Sequence, residues 1–146
     1  MTLPNYDTDL YAWTQAQAEA LRAKEWLALD VANLAEEIES LGREQAHAVE
    51  SYLALLCLHL LKWRYQPARR GKSWRFSMQM ARQRIARRLR DSPSLRPRVP
   101  GLLTDAYADA RRLVATQTDL PLATFPEACP WRLAQVLDEE YLPEVG

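Results

Sequence analysis

Six leucines, Leu53, Leu55, Leu56, Leu58, Leu60 and Leu61, fall within nine positions and cover nearly the whole circumference of a helical wheel. A helix that is apolar all round is one that other helices surround. The stretch from Arg43 to Gln66 therefore reads as the central element of a bundle. Pro67 closes it, because proline lacks an N–H and its ring clashes with the preceding turn. The apolar run is interrupted by His59 and stops at Lys62, too short to span a bilayer.

Composition agrees with helix. Leucine and alanine together number 44, isoleucine and valine together 8. Unbranched side chains lose little freedom in a helix, whereas strands favour β-branched and aromatic ones. Four glycines, with no GxGxxG or GxxxxGK[ST] pattern, exclude a glycine-rich phosphate loop. At 146 residues and 48% hydrophobic, the chain fits one domain, 1–146, and is not an intrinsically disordered one. Cys57 and Cys129 are too few for a disulfide framework and lack metal-ligand spacing. Met1 to Leu10 holds two aspartates and no basic stretch leading into an apolar one, so a soluble, cytoplasmic protein is expected.

Helices are expected in series. Asp7 is placed as the N-cap of a first helix reaching about Ala23, with Leu10, Tyr11, Thr14, Ala18 and Leu21 at helical spacing. Asp30 caps the next, where Val31, Leu34, Ala35, Ile38 and Leu41 share a face, Glu36 lies opposite, and Glu37 and Glu39 flank it. Gly42 ends or bends that helix before the central one. After a connector holding Arg69, Arg70 and Lys72, Ser73 caps a helix from Trp74 to about Arg90. Its seam is Trp74, Met78, Ala81, Ile85 and Leu89, with Phe76 and Met80 pointing away. A helix from about Gly101 to Thr116 follows. Then comes a proline-rich tail with short helices at Leu122–Phe125 and Trp131–Leu137. The fold class is all-α: a single-domain helical bundle with an irregular, proline-rich C-terminal segment.

The zero net charge conceals segregation. Residues 1–61 carry three basic and ten acidic groups, residues 62–98 thirteen basic and one acidic, and residues 99–146 three basic and eight acidic. Two readings follow. The basic segment neutralises itself against the acidic helices within the molecule, or part of it is an exposed patch for phosphates or an acidic partner.

The order Tyr6-Asp7-Thr8-Asp9, Leu34-Ala35-Glu36-Glu37-Ile38-Glu39-Ser40-Leu41-Gly42, His59-Leu60-Leu61-Lys62-Trp63 and Ser73-Trp74-Arg75 resembles the bacterial family of domain of unknown function 29, over about residues 6–143. The resemblance implies a small helical bacterial protein without an assigned activity. Its recurring positions would be Glu36, Glu37, Glu39, His59, Trp63, Trp74 and Arg82.

Candidate chemistry is sparse. Glu44 and His47 have Glu-x-x-His spacing but lack the second such motif a di-metal bundle needs, and two histidines do not make a zinc site. No cofactor is expected. His59 needs a hydrogen-bond partner if buried, and Glu36, Glu37 or Glu39 is the partner expected, with Arg82 in the same candidate polar core. No nucleophile elbow is present. Cys57 reads as a small buried apolar residue. The basic patch candidates are Arg64, Arg69, Arg70, Lys72, Arg75, Arg84 and Arg87, interleaved with Trp63, Tyr65 and Trp74. Phe76, Met80, Trp131, Tyr141 and Leu142 are candidates for a homodimer or partner surface. The reading is a non-enzymatic protein-interaction or regulatory module. The alternatives are nucleic-acid binding through residues 62–98 and an unrecognised enzyme.

Overall fold

A computed structural model describes residues 3–144. Its five α-helices are α1 (Leu10–Arg22), α2 (Val31–Tyr65), α3 (Lys72–Asp91), α4 (Val99–Thr118) and α5 (Leu133–Leu137), with short 3₁₀ turns between them and no strand among the described residues. The protein is all-α. The described chain falls into two compact units, divided between Glu44 and Gln45, inside α2. No helix among the described residues is long and apolar enough to cross a membrane.

The first unit is held by polar contacts around one turn. Asp9, not Asp7, caps α1, its carboxylate accepting the Ala12 N–H at 3.0 Å. Asp7 is instead in the preceding turn, where its N–H donates to Asn5 Oδ1. Lys24 takes the left-handed conformation that ends α1, and the Glu25 N–H returns to the Ala20 carbonyl at 2.9 Å. The buried face of α1 is Trp13, Gln17 and Ala20; Leu10, Tyr11 and Leu21 are exposed. Hydrogen bonding explains that choice. Trp13 Nε1 donates to Asp30 Oδ2 at 3.0 Å, and Gln17 Oε1 accepts the Asp30 N–H at 2.7 Å. Asn33 donates to the same carboxylate at 2.8 Å, so Asp30 caps α2 and ties it to α1. Its carboxyl is held below the ordinary value, chiefly by the Asn33 hydrogen bond.

The second unit carries the core. Leu53, Leu56, Cys57, Leu60 and Leu61 of α2 are fully buried among Met78, Ala81 and Ile85 of α3 and Leu103, Ala106, Tyr107 and Val114 of α4. Leu55 alone of the leucine run is exposed. The α3 seam is as expected, with Trp74 partly buried at its end and Arg82 added to it. Ser73 does not cap α3; the helix begins at Lys72 behind Gly71, without a side-chain cap. Trp131, Phe125 and Val136 bury themselves on this core, and Tyr141 and Leu142 pack partly against it. The tail's aromatics are thus spent within the unit.

Gly42 does not end a helix, because α2 runs unbroken for 35 residues. A mid-helix glycine costs only about 0.5–1 kcal/mol, which good helix formers on both sides override. A Cβ placed at Gly42 meets nothing within 4 Å. Gly42→Ala is therefore expected to raise the unfolding free energy by about 0.5–1 kcal/mol in a denaturant titration. No gain would mean that the helix is not continuous there in solution.

Candidate functional site

The residues of the expected polar cluster have hydrogen-bond partners of their own. His59 Nδ1 donates to the Leu55 carbonyl of its own helix at 2.9 Å. Burial pushes its pKa down; the Leu55 carbonyl opposes this and the Lys62 charge adds to it. Glu37 accepts from the Tyr6 hydroxyl, which pushes that phenol up to about 12. Glu36 and Glu39 pair with Arg43 at 3.1 and 3.9 Å on an exposed surface.

Arg82 is buried on α3. Its Nε donates to the Val136 carbonyl at 2.8 Å, and Nη1 reaches the Glu139 carbonyl at 3.5 Å. Nη2 is buried without a partner. Desolvation lowers its pKa, opposed by the charges of Asp138 and Glu139. Both carbonyls belong to the tail, so this guanidinium fastens the end of α5 to α3. Arg64 does the same further on, with Nη1 donating to the Glu144 carbonyl at 2.7 Å. Arg111, which the sequence did not single out, binds the Phe125 and Leu122 carbonyls at 3.0 and 3.2 Å, and the Tyr107 hydroxyl donates to Pro126 at 2.6 Å.

Close ion pairs do not occupy the basic segment. Among the described residues the ion pairs are Arg43 with Glu36 and Glu39, and Arg112 with Asp109; none uses a cation from residues 62–98. Trp63 is buried, with the guanidiniums of Arg70 and Arg75 at 5.0 and 5.4 Å from its ring. Trp74 faces Lys62 at 4.9 Å, and Tyr65 packs edge-on against Phe125 at 5.1 Å. Arg69, Lys72, Arg75, Arg84, Arg87 and Arg90 are exposed. Arg84, Arg87, Arg88 and Arg90 line an open groove of about 640 Å³ beside Tyr52, with Asp91 and Glu139 as its acids.

Both cysteines are free thiols: Cys57 of α2 is fully buried in the core, and Cys129 of the tail packs partly against that core, its S–H reaching the Trp131 carbonyl at 3.5 Å. Glu44 and His47 are exposed, and no cluster of three or more His, Cys, Asp or Glu side chains fit for a metal occurs among the described residues.

A family model described as "Domain of unknown function DUF29" matches residues 5–142. No curated protein and no solved structure matches the chain.

The tail's attachment is directly testable. Arg82→Met keeps the apolar stem but removes the donors for Val136 and Glu139. With about 1–3 kcal/mol at stake for each buried carbonyl left unpaired, unfolding free energy should fall by about 2–3 kcal/mol. Limited proteolysis should then cut the tail faster than in the parent. Unchanged stability and cleavage would mean that Arg82 does not hold the tail.

Proposed function

Because the chain belongs to the family described as Domain of unknown function DUF29, a membership that brings no chemistry with it, we propose from its surface that it is a non-enzymatic interaction module. It docks a partner helix along residues 31–41 of α2. One observation carries this reading. Among the described residues, nine of the thirteen exposed large hydrophobic side chains lie before Glu44, while the same stretch supplies only Trp13 and Ala20 to the buried apolar set. On α2, Val31, Ile38 and Leu41 are 68%, 69% and 60% exposed. With half-buried Leu34 they follow the three-four spacing of a helix-pairing seam. Residues 1–44 carry nine acidic and three basic groups. The fitting partner is an amphipathic helix whose apolar stripe is bordered by lysine or arginine.

Ile38→Ser with Leu41→Ser should leave the helical circular-dichroism signal unchanged, because both side chains are solvent-facing. Burial of each is worth about 1.5–3 kcal/mol, so association through this seam should weaken by at least about tenfold. A photo-crosslinker at position 35, exposed beside the stripe, with sedimentation for self-association, reads the effect. Crosslinks and mass that are the same in the double variant and the parent would sink the seam.

A second reading, polyanion binding, is favoured by the unpaired cations that line the α3 groove. Its expected signature is binding of labelled RNA or DNA that weakens steeply with salt. Arg84→Glu with Arg87→Glu should abolish that binding. Absence of binding at low salt, where attraction is strongest, would dismiss it.

A further inference from the structure

We propose, resting on the polyanion reading above, that the α3 groove takes single-stranded nucleic acid, with a base laid on the Tyr52 ring and phosphates on Arg84, Arg87 and Arg90. The other aromatics near the cations are already engaged. Trp63 is buried with Arg70 and Arg75 over its ring, Tyr65 is packed on Phe125, and Trp74 faces Lys62. Tyr52 lies outside the basic segment, on α2, and its half-buried ring lines the groove. An aromatic face beside a row of cations is what binding of a single strand needs.

The groove's volume of about 640 Å³ is that of a small-ligand pocket, enough for a short stretch of one strand and too small for a double helix. A duplex keeps its base faces in the stack, so it offers this site only phosphates. Four guanidiniums against the carboxylates of Asp91 and Glu139 leave the groove net positive. Arg88 is held to its wall, with Nη1 donating to Gln45 Oε1 at 2.9 Å. Arg84, Arg87 and Arg90 are the exposed cations. Each stands three residues, about 4.5 Å of helix rise, beyond the last, so they follow a backbone lying along α3. The Arg84 guanidinium is 5.9 Å from the centre of the Tyr52 ring. A cation and a base bind the same π-face. An arriving base therefore replaces Arg84 on the ring, and the released guanidinium meets a phosphate.

Fluorescence anisotropy at low salt, with a labelled single-stranded oligonucleotide and a hairpin duplex of equal nucleotide count, tests this. The intact chain should bind the single strand at least about fivefold tighter than the duplex. Tyr52→Leu, which keeps an apolar side chain against the core, should weaken single-strand binding by about fivefold or more, with an unchanged salt slope. Tyr52→Phe should keep the parent's affinity. Ultraviolet crosslinking of the parent to the single strand, which needs no variant to fold, should place the adduct on the Tyr52 peptide. Equal affinity for strand and duplex would overturn the proposal and leave the polyanion reading standing. So would a folded Tyr52→Leu that binds like the parent, or adducts found only elsewhere. No binding of either nucleic acid would remove both.

Discussion

An irregular segment can be buried on a helical core only if its backbone carbonyls find donors, and in this protein guanidiniums provide them. Residues 119–144 have little regular structure, yet they bring Phe125, Trp131 and Val136 into the core. Helix and sheet satisfy their own carbonyls, whereas such a segment satisfies some through turns, as at Pro121 and Leu122, and needs side chains or water for others. Arg111, Tyr107, Arg82 and Arg64 take the carbonyls of Phe125, Pro126, Val136 and Glu144 in succession. Arginine suits this role because it carries five donors in a fixed fork and stays charged even where desolvation opposes it. Each such bond to a charged donor is worth about 1.5–3 kcal/mol. The tail is therefore anchored as strongly by polar contacts as by its aromatics.

That role separates the arginines into two populations. Arg64 and Arg82 turn toward tail carbonyls and Arg70 toward the Trp63 carbonyl, while Arg69, Arg84, Arg87 and Arg90 remain exposed and unpaired. Composition alone treats them as one basic run. The wheel does contain part of the distinction, since Arg82 lies four residues after Met78 and three before Ile85, on the buried stripe of α3. Arg75, a heptad earlier, is exposed. What decides between them is whether a tail carbonyl arrives above the side chain. That contact spans more than fifty positions and leaves no local mark.

The same distinction between local and distant information governs the rest. The leucine run, the α3 seam, the short turn at Leu122–Thr124 and the all-α class were legible because each rests on periodicity or on proline placement within a few residues. The α1 cap was misplaced by two residues because Asn5 takes the Asp7 N–H into a turn and leaves Asp9 to meet Ala12. Gly42 reads locally as a helix terminator, yet its cost is small against 35 residues of favourable propensity.

The length of α2 also accounts for how an apolar seam stays ordered without a core beneath it. Only from Ala46 onward does α2 supply buried residues. An isolated helix the size of residues 31–44 is marginal in water, because starting the first turn fixes several dihedrals for one hydrogen bond. Here no new start is needed: the buried half nucleates the helix, and propagation toward Val31 adds one bond per residue, with Asp30 and Asn33 capping the end. The exposed stripe of Val31, Ile38 and Leu41, with half-buried Leu34, is thus held in register by the helix itself, so the docking proposed above would not have to order the backbone it lands on.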